Sequence, residues 1–154
     1  MKRLNSSLIR ETAINNFKSG YNCAQSIVLA FKDILDIDAD TIIKIASPFG
    51  GGMGRLRETC GSVTGMFLVL GLLYGYNTPE VGKKKQELYE KVQQLAKQFE
   101  EKHQSIVCRD ILNIKVKHDV PTPSERTSEF YTVRPCMLCI GDAAEILANF
   151  INEH

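Results

Sequence analysis

A chain of 154 residues, 44% apolar and 24% charged, can bury one ordinary core without disulfide staples, and a single domain over 1–154 is expected. A formal net charge of +1 argues against nucleic acid or an anionic membrane as the main partner. Met1 to Glu11 has no apolar h-region, so no secretory signal is expected, and the longest apolar run, Val63–Tyr76, falls short of the ~20 residues a membrane span needs.

Ser6 or Ser7 can cap a first helix through Leu8, Ile9, Ala13, Ile14 and Phe17, which Gly20 ends. Asn22 with Gln25 makes a capping box, so Cys23 is expected at the first position of a second helix running through Ile27, Val28, Phe31 and Leu35. Asp40 is expected to cap a short third helix that Pro48 stops. A glycine-rich loop follows from Phe49, and Thr59 is expected to cap the next helix, placing Cys60 in its first turn. That helix is apolar all round and reaches about Tyr74. Its pairs Gly61 with Gly65 and Gly71 with Gly75 stand four apart, a spacing that admits a second backbone.

Thr78-Pro79-Glu80 reads as a helix start, with Pro79 in the first position. The helix to about Gln104 carries an apolar stripe of Val81, Leu88, Val92, Leu95 and Phe99, and Lys83, Lys84 and Lys85 lie on its solvated face. Cys108 sits in a short segment from Ile106 to Leu112. Asn113–Thr132 is polar and irregular, and a loop that long is functional or mobile more often than not. Pro135 opens the last helix with Cys136 in its first turn. No strand, repeat or linker is evident, so the expected class is an all-α, single-domain bundle of about five main helices plus short ones.

The five cysteines carry the chemistry. Without a signal the expected compartment is cytoplasmic and reducing, which leaves metal binding, redox chemistry or inert burial. Cys23, Cys60 and Cys136 are each placed by a capping signal at a helix start, where free N–H groups favour a thiolate. Cys136-Met137-Leu138-Cys139 is a C-x-x-C that can chelate a metal or form a reversible disulfide, with Cys139 as a resolving thiol. The thioredoxin reading needs a βαβ context and a zinc site a second ligand pair. Neither is seen, and His103, His118 and His154 are scattered and read as surface residues. Asp110, Asp142 and Glu145 read as first-turn or surface acids. The loop at Gly50–Arg57 fails both G-x-G-x-x-G and G-K-[ST]. Gly51, Gly52, Gly54, Arg55 and Gly61 remain the candidate cradle for a bound group, and Arg55 with Arg57 could hold a small anion.

In these pieces the chain resembles the redox-active family named for its cysteine pattern, C_GCAxxG_C_C. The matching stretches are Gly20–Gln25 around Cys23, Gly50–Gly54 leading to Cys60–Gly65, Cys108–Leu112, and Cys136 leading into Asp142–Leu147. Ser62 stands where the family motif usually has alanine, and Cys139 is an addition to its four cysteines. The resemblance implies a small helical protein in which Cys23, Cys60, Cys108 and Cys136 form the functional site. A similar module accompanies haem in split-Soret cytochromes, but the attachment motif C-x-x-C-H is missing here. The expectation is therefore a redox protein or electron carrier. Its four cysteines would bind an iron–sulfur centre or another metal, or would cycle between dithiol and disulfide. A non-catalytic helical interaction module with cysteines as core residues is the alternative. A redox partner is implied but not identified, and base rates for soluble proteins leave room for a homodimer.

Overall fold

The computed structural model describes residues 2–80, 82–116 and 118–154. Over these residues the chain forms α1 (Ser6–Lys18), α2 (Cys23–Ala30), α3 (Ala39–Ala46), α4 (Gly61–Tyr74), α5 (Gly82–His103), α6 (Cys108–Ile111), α7 (Ser128–Val133) and α8 (Cys136–Glu153). Among the described residues there is no strand, only an antiparallel bridge between Thr59 and Val107. The class is all-α, as the periodicity predicts, and no described helix is long and apolar enough to cross a membrane.

Helix α8 lies along α1, and α2 packs on both α1 and α4, while α5 packs on α4 and α8. The core between them is made by Phe17, Ile27, Met66, Leu95, Phe99 and Leu147, all buried. Each such side chain contributes about 1.5–3 kcal/mol by leaving water. The α5 stripe holds at Leu95 and Phe99, with Leu88 and Val92 half-buried. Val81 lies outside the described residues.

Several boundaries differ from expectation for local reasons. Helix α1 is capped by Asn5, one residue before the serines, whose side chain accepts from Leu8 N–H. It ends in a Schellman motif: Tyr21 N–H bonds Asn16 C=O and Gly20, at φ +110°, bonds Phe17 C=O. Asp38, not Asp40, caps α3 and accepts from Thr41 N–H. Pro79 lies in a bend before α5 rather than in its first turn. Part of the stretch expected to be irregular folds as α7, which Thr127 caps.

The glycine expectation splits. A Cβ on Gly65 would stand 2.7 Å from Ile27 Cβ, so α4 and α2 do approach there, but one on Gly71 would meet nothing within 4 Å. The atoms nearest Gly75 belong to Gly71 of its own helix.

Candidate functional site

The glycine-rich loop is a turn of reversed hand. Gly51, Gly52, Met53, Gly54 and Arg55 all have φ between +61° and +70°. Gly54 N–H closes the turn on Gly50 C=O at 2.9 Å, and Glu58 N–H bonds Gly52 C=O at 3.0 Å. L-residues pay about 1–2 kcal/mol each in this conformation, so a run of five is tenable only because three are glycine.

This turn presses against two cysteines. Gly51 N–H is a hydrogen-bond donor to the Cys23 sulfur. A Cβ on Gly52 would stand 2.6 Å from Cys108 Cβ. Beyond the turn, residues 57–60 run beside 106–109: Cys60 N–H bonds Ile106 C=O at 2.7 Å, and Arg109 N–H bonds Arg57 C=O at 3.2 Å. The pairing brings Cys60 and Cys108, each at a helix start, to the wall of the same cavity. Cys23 opens α2 through the expected capping box, with Asn22 accepting from Gln25 N–H. Cys136 opens α8 after Pro135.

Thr59 does not cap α4. Cys60 itself occupies the cap, and no side-chain oxygen closes that helix start. The Ser62 and Val63 N–H groups instead favour a thiolate on Cys60. The Ser62 hydroxyl is buried beside it without a well-aligned hydrogen bond to any group.

All five cysteines line one cavity of about 420 Å³. Gly51, Gly52, Gly54, Gly61 and Arg55, the expected cradle, line it too. No disulfide links the cysteines, and Cys60, Cys108 and Cys139 are buried while Cys23 and Cys136 are half-buried. Cys139 faces Cys60 and His103: its thiol interacts with the Cys60 sulfur and lies 3.7 Å from His103 Nδ1.

Arg55 and Arg57 are already occupied by an anion from within the chain. Arg57, 1% exposed, donates from Nε and Nη2 to Asp119 Oδ2 at 3.2 and 2.9 Å, and Arg55 Nη2 reaches the same oxygen at 3.1 Å. Arg55 also bonds Val120 C=O and Ser124 Oγ. The third Arg57 nitrogen, Nη1, lies 3.6 Å from Cys108 Sγ. Arg126 straps the other end of the 118–127 segment, donating to Phe17 C=O and Tyr21 C=O with its guanidinium 4.0 Å from the centre of the Phe17 ring. Pro121, Pro123 and Ser124 of this segment wall the cavity.

The electrostatics single out one sulfur. The Cys139 hydrogen bond, helped by the α4 N–H groups, brings Cys60 down to about 7 despite burial. Burial pushes the other four up. Cys136 rises to about 11, with the Cys60 charge adding and Arg134 opposing. Cys23 rises through burial and the Cys60 charge, and Cys108 through burial, opposed by Arg57. Cys139 rises because its proton is held by Cys60. Cys60 is therefore the first of the five thiols to ionise, in the range around neutral pH, while the other four stay protonated there.

Four thiols from separate segments are the donor chemistry of an iron–sulfur cluster or of tetrahedral zinc. As placed, however, no three Cys, His, Asp or Glu side chains among the described residues stand grouped as metal ligands. Among the described residues the four sulfurs are therefore not spaced as a ready-made metal site.

Two residues read as surface groups belong to the site. His103, its side chain 8% exposed, places Nε2 2.8 Å from Asp142 Oδ2, and Asp142 is itself buried. His154 instead stacks on Phe150, and His118 is exposed.

Fold and cavity together define a helical protein built around a set of free cysteines. The chain belongs to the family described as "Putative redox-active protein (C_GCAxxG_C_C)", whose model matches residues 21–150. No curated protein and no solved structure matches it.

Proposed function

We propose that this redox-active protein works by thiol–disulfide exchange, with Cys60 as the attacking thiolate and Cys139 as the resolving thiol. What supports this reading is the placement of Cys60 and Cys139 on the wall of one cavity, with Cys139 the largest influence that lowers Cys60. Cys60 S⁻ attacks one sulfur of a small disulfide, forms a mixed disulfide and expels the other half as a thiolate. Cys139, deprotonated, then attacks Cys60 Sγ. The Cys60–Cys139 bond forms, the second half leaves as a thiolate, and two electrons have passed to the substrate. An external dithiol restores the resting state by the reverse exchange. A thiol with a pKa near ambient pH is the most effective attacker, which suits Cys60.

The test is non-reducing peptide mapping of oxidised protein, with metal content and absorbance measured on protein purified without oxygen. A reversible Cys60–Cys139 bond, two electrons per chain and a colourless protein are expected. Visible charge-transfer bands with stoichiometric iron would overturn the reading and make the cysteines cluster ligands. Bound zinc would make them a structural or thiol-protecting site. Thiols inert to oxidants, with Cys60→Ser lowering only stability, would leave a non-catalytic helical module.

A further inference from the structure

Behind Cys139 lies a line of polar groups that dithiol chemistry alone does not require. His103 Nδ1 is 3.7 Å from Cys139 Sγ, His103 Nε2 is 2.8 Å from Asp142 Oδ2, and Asp142 Oδ1 is 2.6 Å from Arg10 Nη1. Arg10 also reaches Glu145 Oε2 at 3.0 Å. Helices α1, α5 and α8 each supply a member, so the line exists only in the folded bundle. His103, half-buried with its side chain 8% exposed, and the buried Asp142 face each other, and the centre of the Phe99 ring lies 4.6 Å from that of the imidazole. Burying a histidine and a carboxylate is costly unless they are paired, and the pair is complete here.

We propose that His103, oriented by Asp142, is the proton acceptor that turns Cys139 into the resolving nucleophile; this rests on the Cys60–Cys139 reading above. With Asp142 ionised and held by Arg10, Nε2 of neutral His103 carries the proton that Asp142 accepts. Nδ1 is then the free acceptor and faces the thiol. The Cys139 proton thus has two acceptors. At rest the Cys60 thiolate holds it. Once Cys60 has attacked a disulfide, its sulfur carries no charge and the proton moves to His103 Nδ1. The Cys139 thiolate so formed attacks Cys60 Sγ, breaks its bond to the substrate sulfur and forms the protein disulfide. The proton then leaves His103⁺ for the departing thiolate or, where that thiolate is a weak base, for water, so the step balances with no further reagent. His103 acts on a reacting atom, and Asp142 and Arg10 are positioning residues. The titratable groups facing the imidazole are Cys139 and Asp142, with Cys60 beyond the first and Arg10 and Glu145 beyond the second.

The test treats the full chain with one equivalent of dithiobis(nitrobenzoate), whose two coloured halves report the two steps. Attack by Cys60 releases the first half and resolution by Cys139 the second. In His103→Gln the first release is expected within about threefold of native and the second slower by about a hundredfold or more, the usual range of general-base assistance. The pH profile adds a readout that a merely structural role would not move. The native second step depends only weakly on pH, whereas in His103→Gln it climbs about tenfold per pH unit with the Cys139 thiolate fraction. Circular dichroism checks the fold. If His103→Gln does not fold, Asp142→Asn, with Arg10 still held by Glu145, is expected to slow the second release at least tenfold. A native-speed second release in the folded variants, ending in the Cys60–Cys139 bond, would overturn the proposal alone. No Cys60–Cys139 bond in the native protein would overturn it together with the underlying exchange reading.

Discussion

Replacing Gly52 by alanine tests whether the reversed turn is what holds the cysteines in place. Gly52 has φ +68°, and an added Cβ would lie 2.6 Å from Cys108 Cβ and 2.9 Å from both Arg57 Cα and Glu58 N. Two of those three atoms are backbone, so they cannot rotate away. The conformation itself costs an L-residue about 1–2 kcal/mol. Forcing a methyl into a packed contact adds about 1–3 kcal/mol. Gly52→Ala should therefore cost about 2–5 kcal/mol. Gly54→Ala is the matched control. It has φ +61°, but its nearest contact is Pro48 C=O at 3.7 Å, so only the conformational cost of about 1–2 kcal/mol applies. Urea unfolding followed by circular dichroism measures both, with a shifted midpoint at unchanged slope as the sign of a pure stability effect. Equal losses at the two positions would refute the reasoning, because the backbone conformation would then explain both and the contact with Cys108 nothing.

Other consequences can be checked in the same preparations. Gly71→Ala should stabilise the protein by about 0.5–1 kcal/mol, since the position is an exposed helical glycine with open space around it, and the melting temperature should rise by about 2–4 °C per kcal/mol. Alkylation of Cys60 should follow an ionisation near 7. In Cys139→Ala it should move upward towards the ordinary 9.0, because the strongest donor to the thiolate is gone; an unmoved profile would assign the effect to the α4 N–H groups instead. The Arg57 hydrogen bond holds the Asp119 carboxyl below its ordinary 3.8, so the strap over the cavity is intact above that pH and is lost as pH falls through the lowered value. Cysteine labelling by a pyridyl disulfide should quicken in that acid range, and Asp119→Asn should reproduce the fast labelling at pH 7.

The helices were legible because their signals are local. The Asn22–Gln25 box, the Leu88, Val92, Leu95 and Phe99 stripe of α5 and the Pro135 start each occupy one turn or one face. Misplaced caps came from rival residues one or two positions apart, as with Asp38 and Asp40, where flanking geometry decides. The site was legible as a set of cysteines but not as an arrangement. The ladder joining 57–60 to 106–109 pairs residues nearly fifty positions apart and leaves no periodic trace. Asp119 sits in an irregular segment, so nothing local marks it as the partner of Arg55 and Arg57. His103 did leave a signal: Leu95, Phe99 and His103 step by four along one buried face, so the histidine continues the apolar stripe inward. Asp142 left a weaker one, a charge set among Cys139, Ile140 and Ala143 on the inner side of α8.

On the exchange reading, the unequal ionisation of the five thiols would also set an order of use. The negative charge on Cys60 is one of the influences that hold Cys23, Cys108 and Cys136 in their neutral forms. A disulfide at Cys60 removes that charge, and with it part of the restraint on the other three. On the exchange reading, spending the first nucleophile would ease the ionisation of the remaining thiols, against the burial that chiefly keeps them neutral.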